Sequence, residues 1–129
     1  MEFVPEHTPA GLDEFTRGYF EAVEWLLDDD IDRGKIRGFS RDAVKRGKAD
    51  CARFQVEYTE LLAVYREATG RDDACAGHDL YLSRNGHGSG FWDRVVQPWQ
   101  VETLQALHTA ARDAGETYHE VSRGRIVQY

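Results

Sequence analysis

Apolar positions along the chain fall into several distinct periodicities. From Leu12 to Leu27, Phe15, Tyr19, Ala22, Val23 and Leu26 share one helical face, which predicts an amphipathic helix. The run "DDDIDRGKIRG" ends it, because acids oppose the macrodipole at a helix C-terminus and Gly34 and Gly38 break the pattern. Ser40 is a good N-cap for a second, longer helix. Val44, Gly47, Cys51, Phe54, Tyr58, Leu61 and Tyr65 step alternately by three and four, a seam that one partner helix could cover. Gly70 closes that helix in the C′ place.

The pattern then changes. In "DLYLSR", Leu80 and Leu82 alternate with Tyr81 and Ser83, which is the period of a strand. Asn85-Gly86 is a strong hairpin signal, and "FWDR" supplies the returning strand. Pro98 suits the first position of a third helix, with Val101, Leu104, Leu107, His108 and Ala111 on its apolar face and Gly115 at its end. "TYHEV-SRG-RIVQY" reads as a C-terminal hairpin, with Val121, Ile126 and Val127 as β-branched positions. The expected fold is α+β: two N-terminal helices, a β-hairpin, a helix and a second hairpin, with an antiparallel sheet packed on the helices. One domain spans residues 1–129, with an acidic helical part over 1–70 and a hairpin–helix–hairpin part over 76–129.

Composition agrees with a globular chain: of 129 residues, 41% are hydrophobic and 12% aromatic. No apolar run is long enough to span a bilayer, and "MEFVPEHTPAG" has no signal-peptide character, so the expected location is cytoplasmic. Cys51 falls on the apolar seam and reads as a small buried hydrophobe, whereas Cys75 lies in a polar segment; whether they pair stays open. Net charge is −7, unevenly spread. Residues 1–32 hold ten acids against one base, and the remainder holds thirteen acids against fifteen bases. That balance argues against direct nucleic-acid binding and suits a basic partner, with Glu14, Glu21 and Glu24 as candidate contacts. A solubilising role for the acids is the simpler alternative.

Candidate chemistry concentrates in "AGHDLYLSRNGHGSGFWDR", Ala76 to Arg94. His78, Asp79, His87 and Asp93 are the residue types of acid–base catalysis and of metal sites. On a hairpin, His87 at the tip lies about 15–20 Å from the open end, so His78, Asp79 and Asp93 form the easier cluster. No metal-ligand spacing is present, and neither a metal nor another cofactor is expected. Arg84, Asn85, Gly86, His87, Gly88 and Arg94 could hold an anion through cationic side chains and loop amides, although the P-loop lysine and following helix are missing. The simpler reading is a hairpin whose glycines serve the backbone, with Phe91 and Trp92 in the core, His78 capping the loop, and Asp93 and Arg94 solvated or facing Arg84 across the strands.

This stretch, from Gly77 through Arg94, resembles a motif of roughly GHDFWLTRNGHGAGFWDR shared by small uncharacterised proteins of tailed phages, prophages and plasmids. "FTRGYFEAVEW", "DCARF", "LHTAARDAGE" and "GRIVQY" extend the similarity over most of the chain. The departures are Leu80-Tyr81, Ser83, Ser89 and the segment "VVQPWQVET". The resemblance implies a phage or mobile-element setting inside a bacterial host cell and implies no reaction. Two functions fit the residues. One is an accessory protein that binds and modulates a host or phage macromolecule, for instance a defence or nucleic-acid enzyme or a nucleic-acid-binding protein, with counter-defence as one role. The other is a small phosphate-directed enzyme acting on nucleotide or nucleic acid through the His/Asp/Arg hairpin. Oligomeric state stays open.

Overall fold

The computed structural model describes residues 7–28, 30–87, 89–94 and 96–129. Of the sequence expectations, Gly88 in the loop and Glu2, Glu6 and Asp29 of the acidic stretch lie outside the described residues, as does most of the segment read for a leader. The described elements run α1 (Glu14–Trp25), β1 (Gly38–Phe39), α2 (Arg41–Glu57), α3 (Thr59–Thr69), α4 (Asp73–Arg84), α5 (Val101–Asp113), β2 (His119–Ser122) and β3 (Arg125–Gln128). Helices and a small three-stranded sheet therefore combine in a mixed α and β fold. No helix among the described residues is long and apolar enough to cross a membrane.

Capping chemistry sets most helix starts. The carboxylate of Asp13 accepts from the Thr16 amide at 2.8 Å, the Ser40 hydroxyl from Ala43 at 3.0 Å, and Asp72 from Cys75 at 2.9 Å. Gly70 ends α3 in the left-handed conformation, as its place in the sequence predicts. The expected long second helix is broken at Tyr58 into α2 and α3. There the Thr59 hydroxyl donates to the carbonyls of Gln55 and Val56, at 2.6 and 3.2 Å, and competes with the helix ladder. The seam still faces inward, with Gly47, Cys51, Phe54 and Tyr65 buried.

The main correction concerns Ala76 to Arg94. No hairpin forms there. Residues Asp73–Arg84 are helical, and Phe91–Asp93 make a single 3-10 turn. Asn85-Gly86, expected to turn a hairpin, instead terminates α4, with Asn85 as C-cap and Gly86 at φ 67°. The apparent alternation of Leu80 and Leu82 has a helical cause: α4 is buried on nearly every face, from Ala76 and Gly77 through Arg84. A helix without a solvent side shows no period of 3.6.

Helix α4 is pressed against α1 by paired glycines. A Cβ on Gly77 would overlap the Phe15 carbonyl oxygen, and one on Gly18 would overlap the Ala74 carbonyl oxygen. Around this crossing Phe15, Tyr19, Phe20, Phe54, Tyr65, Leu80, Phe91 and Leu107 form the core, and α2, α3 and α5 all contribute to it.

The expected C-terminal hairpin is present. β2 pairs antiparallel with β3, Val121 opposite Ile126, through a turn in which Arg123 (φ 52°) and Gly124 (φ 80°) both take positive φ. The short β1 adds to the other edge of β3 in parallel, Gly38 beside Arg125 and Phe39 beside Ile126, so the sheet is not wholly antiparallel.

Candidate functional site

The motif's polar side chains are placed by α4 and the turn after it, and most are occupied in holding the fold. Asp79 is fully buried. It receives Arg94 through both nitrogens of one edge of the guanidinium, Nε at 3.0 Å and Nη2, and the Tyr65 hydroxyl at 2.6 Å. Burial first, then the neighbouring Asp79 carboxylate, push the Tyr65 phenol far above its ordinary pKa, so it stays a donor.

Arg84 is 3% exposed. Its guanidinium donates to the Gly115 and Ala114 carbonyls at 2.8 and 3.0 Å, to the Tyr19 hydroxyl at 3.0 Å and to Asp50 at 2.9 Å. A cation there satisfies the carbonyls just past the end of α5, at the negative end of its dipole. Of the two expected placements of Asp93 and Arg94, solvated or facing Arg84 across strands, the second is not found, and Asp93 is exposed. Asp93 accepts from the Gly90 amide at 3.1 Å and closes the 3-10 turn. The buried Ser83 hydroxyl accepts from the Phe91 amide at 3.0 Å and lies 3.2 Å from His108 Nδ1. Asn85 bridges α4 to the C-terminal segment: it donates to the Tyr81 carbonyl at 3.0 Å and accepts from the Thr117 amide at 2.7 Å.

Other placements also differ from expectation. His78 caps no loop; it is half-buried on α4 with its ring 5.2 Å from Trp25, and burial lowers its pKa. Trp92, expected in the core, is 43% exposed and meets His108 edge-on, whereas Phe91 is buried as predicted. The cluster of His78, Asp79 and Asp93 does not assemble. Among the described residues no three His, Cys, Asp or Glu side chains are grouped to hold a metal. Both cysteines are free. Glu14 and Glu21 sit on α1 and pair with Arg17. Glu24 is buried and holds His7, whose Nδ1 lies 2.5 Å from its carboxylate, so it is no surface contact.

His87 of the motif faces a cleft. His87 is exposed, its ring stacked 6.2 Å from Tyr81 at the mouth of a cleft of about 510 Å³. Tyr81 and Asn85 of α4 and its cap, Leu26 and Asp28 after α1, and residues 116–119 with Tyr129 line it. Tyr118 and Tyr129 project at the rim, 57% and 65% exposed, with rings 6.0 Å apart. The Tyr129 hydroxyl donates to Glu120 at 2.6 Å.

At the back of the cleft His119 Nδ1 lies 3.2 Å from the Tyr81 hydroxyl. Its Nε2 is buried without an ordinary hydrogen bond, as is the Gln128 amide oxygen. Burial, then the charge of Arg84, push its pKa from 6.5 to about 4, against a smaller opposing effect of Gln128. Sequence reading missed His119, Tyr118 and Tyr129 as site residues. No motif spacing marks them, and only the fold brings the chain end against α4.

A pH dependence follows. The unfolded chain protonates His119 near 6.5 whereas the folded chain resists protonation down to about 4, so this ring's contribution to stability is full above pH 6.5 and is lost as pH falls towards 4. The loss is expected to be about 1–3 kcal/mol. Thermal melts of wild type and His119→Gln across that range check it: the variant's curve should be flatter, and parallel curves refute the assignment.

Compared with known proteins, the chain matches no family model, no curated sequence and no solved structure.

Proposed function

We propose that this chain is a binding protein that modulates a macromolecular partner through the cleft between α4 and the C-terminal hairpin. The phage or mobile-element setting implied by the motif's resemblance would make that partner a host or phage protein, and counter-defence one such role. The observation that carries the reading is the occupancy of the motif. Asp79, Arg84, Asp93 and Arg94 each bond partners within the chain, and Asp79 and Arg84 are buried. Among the side chains exposed near them are His87 and, at the rim of the cleft, a pair of tyrosines, a residue type enriched where protein interfaces are anchored. The alternative, a phosphate-directed enzyme, needs Arg84 at the anion, and that guanidinium is enclosed by Tyr19, Asp50 and the end of α5.

The test is affinity capture with three folded baits: wild type, His87→Ala, and Tyr118→Ala/Tyr129→Ala. A partner held through the cleft should be recovered with wild type and lost by roughly tenfold or more with the tyrosine double variant, the scale of interface anchors. Melting temperatures should stay near wild type, since these side chains are exposed. Equal recovery with all three baits would overturn the cleft as the binding surface.

A further inference from the structure

We infer that the outer face of α2, together with the β2–β3 turn, is a binding surface for the phosphate backbone of a nucleic acid. The chain-wide charge of −7 conceals a strong segregation. Residues 33–53 and 123–125 carry ten bases and two acids, whereas the rest of the chain carries six bases and twenty-one acids. Both acids in the basic region are already engaged, Asp42 by Arg46 at 3.1 Å and Asp50 by the buried Arg84 at 2.9 Å.

The fold gathers the remaining cations. Ala43, Gly47, Cys51 and Phe54 turn one face of α2 into the core. Arg41, Lys45 and Lys48 therefore share the opposite face, and they span about 10 Å along the helix axis. The Ser40 amide donates to the Ile126 carbonyl at 2.8 Å and docks the start of α2 on β3. At the same end the Arg37 amide donates to the Gly124 carbonyl at 2.6 Å, Arg37 Nη2 to the Arg123 carbonyl at 3.3 Å, and Arg125 Nη1 to the Arg37 carbonyl at 3.3 Å. The guanidinium groups of Arg37 and Arg125 thus collect at the turn that carries Arg123, beside the first turn of α2. All six side chains, Arg37, Arg41, Lys45, Lys48, Arg123 and Arg125, are exposed, and none forms an ion pair with a described residue.

Two features favour a polyanion of phosphates over an acidic protein. Guanidinium groups predominate, and they match phosphate oxygens two at a time. Large apolar anchors are scarce on this face: between residues 33 and 57, Val56, at the end of α2 away from the turn, is the one large apolar side chain that is exposed. Protein interfaces take most of their energy from such anchors, whereas backbone binding to nucleic acid needs only placed cations. The acids on the rest of the molecule would orient it, basic face inward.

Fluorescence anisotropy with a labelled DNA duplex of about 20 base pairs tests the inference. Binding is expected at about 50 mM salt and should weaken roughly 50- to 500-fold by about 200 mM, as three to five phosphate contacts require. Arg41→Glu/Lys45→Glu/Lys48→Glu should bind at least about tenfold more weakly and with a shallower salt slope. Arg123→Glu/Arg125→Glu, on a different element, should shift the same way, so misfolding of one variant leaves the other as a test. Tyr118→Ala/Tyr129→Ala, on the cleft, should bind the duplex as wild type does, which separates this surface from the cleft. The inference is overturned if wild type fails to bind at the lower salt, or if neither charge variant weakens binding. It is equally overturned if poly-glutamate competes as well as unlabelled duplex, or if the basic face supports only salt-sensitive self-association.

Discussion

Gly77→Ala should lower stability by about 3 kcal/mol, and the melting temperature by roughly 10 °C or more, although alanine is the better helix former. In an exposed helix the same change would stabilise by about 1 kcal/mol. Here the added methyl meets the Phe15 carbonyl oxygen, a backbone atom of α1 that no rotamer change can move. The relief available is separation of α1 from α4, and that opens the centre of the core around Tyr19 and Leu80. Gly18→Ala should behave alike, because its methyl meets the Ala74 carbonyl oxygen. Gly47→Ala offers a graded comparison: its obstacle is the Phe20 ring, a side chain, and the loss should be smaller. Chemical denaturation of the three variants beside wild type gives the order directly. A Gly77→Ala melt within about 2 °C of wild type would show that the crossing is looser than its geometry.

The elements legible in the sequence were those with one wet face and one dry face. α1, the inward seam of α2 and α3, α5 and the terminal hairpin all show such a contrast, and Ser40 and Gly70 act as caps where expected. α4 escaped because burial on nearly all sides removes the contrast, leaving two leucines two apart to imitate a strand. A local signal was available in Asp72, whose carboxylate caps the Cys75 amide ahead of an alanine-rich first turn. β1 was too short to mark itself, since its two residues are held by a parallel neighbour far along the chain. The motif's density of polar residues exceeds what the turn after α4 requires. Its cause is a set of long-range bonds, such as Arg84 to Ala114 and Asn85 to Thr117, which no local spacing encodes. The cleft depends on those same bonds, so its far wall could not be read before the fold was known.

Asp79→Ala should cost about 3–5 kcal/mol, because it removes one partner of an enclosed ion pair. The carboxylate accepts from Arg94 along one edge of the guanidinium and from the Tyr65 hydroxyl, which in turn accepts from Arg71 Nε at 3.1 Å. Alanine leaves the partly buried guanidinium and the phenol without that acceptor and opens a void between α3 and α4. Arg94→Met alone should be similarly damaging, since it strands a carboxylate that has no exposed surface. The double variant Asp79→Leu/Arg94→Met strands neither charge and should be more stable than either single variant, by a coupling of about 1–3 kcal/mol in a double-mutant cycle. Additive losses would mean that the two side chains act independently and that their contact contributes little. A catalytic carboxylate would behave otherwise: its removal would spare stability and abolish turnover. Recovery in the double variant would therefore identify Asp79 and Arg94 as the clamp that holds the turn after α4 against α3, and would assign to folding the most acid-like residue in the motif.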